Sequence, residues 1–167
     1  MGANSGQPLK LLLGPRVIVC GPPGAGKAEL ASRLGEDWEI VELDRFYWDG
    51  NFKAIPDQTF RNKVFRRLGD SPQWVVVGNH RQRLPEVWEM ATGIVWLDIP
   101  LEVCSARIAI REKARRGSGI ESIASWLPKY WQRLKADYTT LGARYPGAVV
   151  TRLDSSPQAV EALRTGA

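Results

Sequence analysis

One eight-residue segment, Gly21–Ala28, limits the folds open to this chain more than any other feature of its sequence. It reads Gly-Pro-Pro-Gly-Ala-Gly-Lys-Ala and follows the apolar run Arg16–Cys20 directly. This segment matches the phosphate-loop pattern G-x-x-x-x-G-K-[S/T] at every position but the last. In such a loop, successive backbone N–H groups converge on one anion, and the following helix adds its N-terminal donors. The sequence therefore predicts a loop that binds the phosphates of a nucleotide.

The last two residues of this loop, Lys27 and Ala28, are expected to have opposite effects on the binding of a nucleotide with its Mg²⁺ ion. Lys27 supplies a full positive charge to the outer phosphates, whereas Ala28 stands where a Ser or Thr hydroxyl normally ligates Mg²⁺. Phosphates, waters and another carboxylate can still hold this ion, which keeps several waters in any case, so we expect weakened metal positioning. The predicted nucleotide-binding residues are Gly21, Pro22, Pro23, Gly24, Ala25, Gly26, Lys27 and Ala28.

Strand and helix patterns alternate along the rest of the chain. The predicted strands are Arg16–Cys20, Glu39–Leu43, Trp74–Val77, Ile94–Asp98 and Ala148–Leu153. The predicted helices are Lys27–Leu34 with Gly35 as its C-cap, Asp57–Leu68 with Asp57 as its cap, Leu101–Arg116, Ile120–Leu141 with an interruption near Pro128, and Pro157–Leu163. Because this order requires crossover connections, the fold class is α/β, with three layers and a five-stranded parallel sheet between helices.

The length and composition fit one intracellular domain. The chain has 167 residues, so residues 15–167 are predicted to form a single domain, preceded by a flexible tail over residues 1–14. Its two cysteines, in apolar stretches, are interpreted as buried thiols, and one histidine is too few for a zinc site. With no apolar run of membrane-spanning length, we expect a cytoplasmic protein. The net charge of +5 favours anionic ligands, but nucleic acid is not the expected main partner.

Several motifs beyond the loop resemble one family. Leu43-Asp44 with Tyr47-Trp48, the Gly78-Asn79 turn, Trp96-Leu97-Asp98 with Pro100, and the arginine-rich segment Arg107–Arg116 follow the loop in order. Over about residues 17–153, the chain resembles the adenylate-kinase-like P-loop proteins known as DNA topology modulation proteins. The resemblance implies a nucleoside-monophosphate-kinase-like fold, ATP binding and phosphoryl transfer to an undefined small acceptor. Two departures are Ala28, and Val77 in place of an acidic residue that would help to order magnesium or the acceptor.

Candidate catalytic residues lie after the strands and on one helix. Asp44 follows the second strand at the carboxyl edge of the sheet, where ligands bind in open α/β folds, and is expected to orient the acceptor or a magnesium water. Asp98 lies in a similar place, although a turn role before Pro100 fits equally well. Arg107, Arg111 and Arg115 are spaced four apart, so they share a helix face. Arg111 and Arg115 are the expected arginines of a lid over the transferred phosphoryl group, and a solvated helix face is the alternative.

The aromatic residues and His80 are less informative. Phe46, Tyr47 and Trp48 are expected in a loop, where Tyr47 and Trp48 can stack on a ring. His80 is interpreted as an exposed loop histidine rather than a general base, since nothing in the sequence places a partner beside it. Packing in the core is the expectation for the helical repeat Trp126, Tyr130 and Trp131.

Two functions follow from these residues. The first is an ATP-dependent kinase in which Lys27 and the loop hold ATP, Asp44 orders the acceptor or metal, and arginines approach the γ-phosphate. The second is a non-catalytic nucleotide-binding pseudokinase, motivated by Ala28 and Val77. Nucleic-acid binding is a third, less favoured hypothesis. The oligomeric state and the choice between ATP and GTP are not indicated.

Overall fold

The computed structural model describes residues 9–34, 38–51, 53–114 and 123–154. The strands in these ranges are β1 (Arg16–Cys20), β2 (Glu39–Glu42), β3 (Trp74–Val77), β4 (Gly93–Leu97) and β5 (Val149–Leu153). The helices are α1 (Leu9–Leu13), α2 (Lys27–Leu34), α3 (Leu43–Tyr47), α4 (Asp57–Leu68), α5 (Pro85–Glu89), α6 (Leu101–Ala114), α7 (Ile123–Tyr138) and α8 (Leu141–Arg144).

The five strands form one parallel sheet in the order β2-β3-β1-β4-β5. Each adjacent pair is parallel, with Ile18 of β1 opposite Val76 of β3 and Ile94 of β4. All carboxyl ends therefore lie at one edge, and the loop after β1 leaves from the centre of that edge. The predicted α/β fold with a five-stranded parallel sheet is confirmed.

Alternate residues of the central strands pack into two separate cores. Ile18 and Cys20 of β1 face a core that includes Phe60 of α4 and Trp131 of α7. Val17 and Val19 face the second core, with buried residues of α2 and α6. Because β1, β3 and β4 are covered on both faces, their sequences are continuous apolar runs without alternation.

Several helix and strand boundaries in the structure differ from the predicted ones. The second strand ends at Glu42, since Leu43 begins α3, and this helix contains Phe46 and Tyr47, which were expected in a loop. Pro128 lies inside an unbroken α7. Pro56 occupies the N-cap position of α4, and the Asp57 carboxylate accepts a hydrogen bond from Arg83 instead of capping the helix.

The N-terminal segment also differs from the expected flexible tail. Residues 9–13 form α1, and Leu13 is fully buried in the same core as Val17. Burial of two leucines, Leu9 and Leu13, holds this part of the segment against the sheet. The predictions for residues 1–8, Gly35 and Pro157–Leu163 lie outside the described residues. Among the described helices, none is long and apolar enough to cross a membrane.

Candidate active site

The loop Gly21–Ala28 connects β1 to α2 and depends on three glycines with positive φ angles. These are Gly21 (146°), Gly24 (80°) and Gly26 (93°). A Cβ atom on Gly24 would lie 2.6 Å from the backbone oxygen of Cys104, so the loop passes too close to α6 for any side chain there. Helical bonding begins at once, with the Leu30 N–H donating to the Gly26 carbonyl over 3.0 Å. The segment thus combines a glycine-rich concavity with a helix N-terminus, the arrangement that binds phosphate.

Lys27 folds back over this loop. Its Nζ donates to the carbonyl oxygens of Gly21, at 3.0 Å, and Pro22, at 2.9 Å. Burial lowers the pKa of Lys27, while the charge of Asp44 acts in the opposite direction. Arg111 also lowers the pKa of Lys27, which places this arginine within electrostatic reach of the loop.

Asp44 and His80 form a contact that the sequence did not predict. Asp44 lies in the first turn of α3, just after β2, and His80 follows β3. His80 Nε2 is 3.0 Å from Asp44 Oδ1, and this hydrogen bond is the main reason why the pKa of Asp44 is lowered. Lys27 lowers the pKa of Asp44 further. The interpretation of His80 as an exposed histidine without a partner is wrong, because its side chain is only 18 % exposed.

Aromatic rings surround His80 on the side of α3 and α4. Its ring centroid lies 4.4 Å from that of Tyr47 and 5.3 Å from that of Phe60. The Arg83 guanidinium lies over Tyr47, 4.8 Å from the ring centroid, and Trp48 packs edge-on against Tyr47. Trp48 remains 46 % exposed, so this cluster presents an aromatic surface beside Asp44.

Asn79 is a site residue to which the sequence analysis gave no role. Its side chain accepts a hydrogen bond from the Gly21 N–H at 3.0 Å and donates to the Gly21 carbonyl at 2.8 Å. It also contacts the hydroxyls of Tyr130 and Tyr138 on α7. The Gly78-Asn79 turn was visible in the sequence, but the partner loop lies 58 positions away.

Of the predicted row of arginines, Arg107, Arg111 and Arg115, the structure describes the first two. Arg107 Nη1 donates to the Gly24 carbonyl at 3.2 Å, and Arg111 lies one turn further along α6. Arg115 and Arg116 lie outside the described residues. The structure thus brings two of the four-residue-spaced arginines to the side of α6 near the phosphate loop.

The remaining acidic and apolar candidates serve the scaffold. The Asp98 side chain is 3 % exposed and bonds to Arg152 of β5, with Lys135 Nζ 3.5 Å away, so it forms an ion pair that neither the site role nor the turn role included. Val77 is buried, and Ala28 is exposed on α2. Within the described ranges there is no group of three or more His, Cys, Asp or Glu residues able to hold a metal ion.

The three aromatic residues of α7 that were predicted to pack in the core are buried to different extents. Trp131 is buried as expected and Tyr130 is partly buried, but Trp126 is 39 % exposed and packs edge-on against Tyr130.

Cys20 and Cys104 are buried free thiols. Burial raises the pKa of Cys20 to about 12, so this thiol is unreactive at neutral pH.

Solved structures with a similar fold include three proteins named as kinases. A shikimate kinase from Acinetobacter baumannii, in complex with shikimate, aligns with a TM-score of 0.60 and 18 % identity over 90 % of this chain and 89 % of its own. A gluconokinase from Sinorhizobium meliloti 1021 gives 0.52 and 17 % over 91 % and 89 %. A sugar kinase from Janibacter sp. HTCC2649 gives 0.50 and 19 % over 89 % of each chain.

The chain has the P-loop kinase fold. At these identities the similarity extends to the fold alone. No protein-family model matches the sequence. No curated protein matches it either. The resemblance to the DNA topology modulation proteins therefore receives no support from these comparisons, and neither does a specific likeness to adenylate kinase.

Proposed function

We propose that this chain is a small-molecule kinase that binds ATP on Gly21–Ala28 and transfers its γ-phosphoryl group to a hydroxyl of a small acceptor. The observation that carries the proposal is the geometry of the loop Gly21–Ala28, in which three glycines have positive φ angles and Lys27 Nζ bonds to the loop carbonyls. Lys27, on the loop after β1, and Asp44, just after β2, lie at the same edge of the sheet and within electrostatic reach of each other. The structural neighbours are named shikimate kinase, sugar kinase and gluconokinase, which favours a hydroxyl acceptor.

The reaction needs little covalent chemistry from the protein. The acceptor oxygen forms a bond to the γ-phosphorus, the bond from phosphorus to the β–γ bridging oxygen breaks, and ADP leaves with that electron pair. Lys27 leaves the loop carbonyls for the phosphates and neutralises their charge. Asp44, whose lowered pKa keeps it ionised, accepts a hydrogen bond from the acceptor hydroxyl, orients it, and takes its proton as the bond to phosphorus forms, from where the proton passes to water. Positioning and charge supply the catalysis.

The described residues around the loop offer few oxygen ligands for a Mg²⁺ ion. Ala28 offers no side-chain oxygen, and Val77 offers none at the end of β3. Asp44 is the carboxylate that would hold the ion, directly or through water, together with phosphate oxygens. When bound, Mg²⁺ would neutralise phosphate charge, and we expect the ion to depend mainly on the nucleotide.

Calorimetry and phosphoryl transfer together test the proposal. Titration of ATP with and without Mg²⁺ should show binding that Lys27→Met abolishes and that Lys63→Met, on α4, leaves unchanged. A panel of hydroxylated acceptors, followed by ADP release, should show a turnover that Asp44→Asn reduces at least about 100-fold, as positioning and charge effects of this size require. Failure of ATP to bind under either condition would refute the proposed function.

A pseudokinase is the second candidate, favoured by the same two residues, Ala28 and Val77. Both remove oxygen ligands from the metal side while the phosphate loop keeps its geometry. This alternative predicts ATP binding that is indifferent to Mg²⁺, together with no ADP release across the whole acceptor panel. Turnover that requires Mg²⁺ would exclude it.

Membership of the DNA topology modulation group and a cytoplasmic location belong to the proposal as well. The first is supported by the sequence motifs at Leu43-Asp44 and Gly78-Asn79. The second is supported by the two buried, unpaired cysteines, which a reducing compartment preserves.

A further inference from the structure

We infer that Asn79 is a positioning residue that holds the phosphate loop in its anion-binding form, an inference that rests on the proposed nucleotide site. Asn79 lies directly after Gly78, whose φ of 144° turns the chain at the end of β3. A Cβ atom on Gly78 would lie 3.0 Å from Cβ of Leu43, so the turn is tightly confined. The side chain of Asn79 is thereby delivered to Gly21, the first residue of the loop.

The carboxamide of Asn79 uses its full hydrogen-bonding capacity. A side-chain amide has two N–H donors and an oxygen with two lone pairs. Nδ2 donates to the Gly21 carbonyl at 2.8 Å and to the Tyr130 hydroxyl at 3.2 Å. Oδ1 accepts from the Gly21 N–H at 3.0 Å and from the Tyr138 hydroxyl at 2.5 Å. A network in which every member is satisfied selects one arrangement of its groups.

Only an amide can serve both groups of Gly21. A carboxylate accepts from the N–H but cannot donate to the carbonyl, and a hydroxyl is too short to reach both at once. The two tyrosines fix the orientation of the amide from the other side, since Tyr138 donates and Tyr130 accepts. Burial raises the pKa of both tyrosines, so their hydroxyls stay protonated at neutral pH.

The Gly21 carbonyl shows why this support matters for anion binding. It accepts from Lys27 Nζ as well as from Asn79. When Lys27 moves to a phosphate, this carbonyl keeps the donor from Asn79, whereas a buried carbonyl left without a donor is unfavourable. Asn79 therefore lowers the cost of releasing Lys27 and holds the start of the loop, at Gly21, in place.

The probe for this inference is inorganic tripolyphosphate, which engages the phosphate loop but no base or acceptor site. Its Kd is measured by calorimetry for the whole chain and for three variants, Asn79→Ala, Asn79→Asp and Tyr138→Phe. The matched controls are Asn62→Ala, on the exposed side of α4, and Tyr145→Phe, after α8. Thermal unfolding is recorded for every protein, and Kd is compared at a temperature where all of them are folded.

We expect Asn79→Ala to weaken tripolyphosphate binding about tenfold, which corresponds to about 1.4 kcal/mol. Asn79→Asp should weaken it further, because a negative charge then lies beside the phosphates, and Tyr138→Phe should weaken it about threefold, as the loss of one neutral hydrogen bond allows. The two controls should bind as the unaltered chain does. Tyr138→Phe keeps the ring that packs on Trp96, so it tests the network even if Asn79→Ala does not fold.

The outcomes separate this inference from the proposed function. If the unaltered chain fails to bind tripolyphosphate, the nucleotide site itself is refuted and Asn79 has no loop to position for an anion. If the unaltered chain binds and the Asn79 variants bind equally well, the site stands and the inference is wrong. A fall in melting temperature without a change in Kd would show a purely structural role and would also overturn it.

Discussion

His80 Nε2 lies 3.0 Å from Asp44 Oδ1, and this contact joins the carboxyl ends of two neighbouring strands, β2 and β3. His80 is the residue after Asn79, so two consecutive side chains of one turn contact the Asp44 carboxylate and Gly21 of the phosphate loop. The turn after β3 therefore links both halves of the candidate active site. His80 contacts Asp44 and Asn79 contacts Gly21, so a single substitution can remove one contact and leave the other.

Replacing His80 with Phe should raise the pKa of Asp44. The hydrogen bond from His80 is the largest cause of the lowered value, and the phenyl ring preserves packing on Tyr47 and Phe60. Burial, which raises the pKa of Asp44, and Lys27, which lowers it less, both remain in the variant, so the pKa should return at least to that of a free aspartate. NMR titration of the Asp44 carboxyl carbon measures the shift, and the acid limb of any turnover should move to higher pH with it.

The control for this prediction is Gln58→Ala, an exposed change on α4 that should leave the Asp44 titration where it is. A titration of Asp44 that is the same in His80→Phe and in the unaltered chain would mean that the contact does not govern this carboxylate. Because the Asp44 side chain is 73 % exposed, the change in folding stability should stay small.

The fold and the phosphate loop were predictable because they depend on local patterns. Arg16–Cys20 is apolar after its first residue, glycines follow it, and Lys27–Leu34 has helical spacing, so strand, loop and helix are all encoded within 19 consecutive residues. The position of Asp44 was predictable for the same reason, since it comes just after β2. The strand order and the short helices α1, α3, α5 and α8 were not predicted and needed the tertiary structure.

The partners of the site residues were not predictable, since they come from distant parts of the chain. His80 is 36 positions from Asp44, and Asn79 is 58 positions from Gly21. A single sequence has no signal that joins such pairs. The role of Asp98 was equally hidden, because its cation Arg152 comes from the fifth strand, 54 positions later.

Restoring the loop hydroxyl with Ala28→Thr should make ATP binding depend on Mg²⁺. Ala28 is exposed in the first turn of α2, so the larger side chain has room there. The hydroxyl supplies the protein ligand that the loop lacks, and the ratio of Kd without the metal to Kd with it should rise about tenfold, roughly 1.4 kcal/mol. Calorimetry under both conditions measures this ratio.

Ala28→Val, similar in size and shape but without the oxygen, is the matched control and should leave the ratio as it is in the unaltered chain. An equal rise in both variants would point to a steric effect. No rise in Ala28→Thr would indicate that the loop does not hold the metal at this position.

Gly24→Ala should destabilise the protein and distort the loop. Its φ of 80° disfavours any side chain, and the new Cβ would lie 2.6 Å from the Cys104 backbone oxygen. Strain of this kind costs about 1–3 kcal/mol, before the clash with α6 is counted. Gly142→Ala is the control, because Gly142 lies in α8 with open space around the Cβ position.

Urea unfolding measures both changes. Gly142→Ala should leave the free energy of unfolding unchanged or raise it by about 0.5–1 kcal/mol, since alanine favours a helix over glycine. Similar effects of the two substitutions would contradict the close approach of the loop to α6.

Asp98→Asn should lower stability without changing nucleotide affinity. The side chain is buried and bonds to Arg152 Nε at 2.7 Å, with Lys135 Nζ 3.5 Å from its other oxygen. Both cations are more than half exposed, so water solvates them when the carboxylate is neutralised, and we expect a loss of about 1–3 kcal/mol rather than the larger cost of a fully buried pair.

Asp70→Asn, an exposed change in the turn after α4, is the control and should stay within about 0.5 kcal/mol of the unaltered chain. Urea unfolding gives the free energies, and ATP calorimetry gives Kd for the same three proteins. If Asp98→Asn weakened ATP binding while the unfolding free energy stayed constant, Asp98 would belong to the active site. The geometry favours the opposite result, because Arg152 of β5 holds this carboxylate at the strand end.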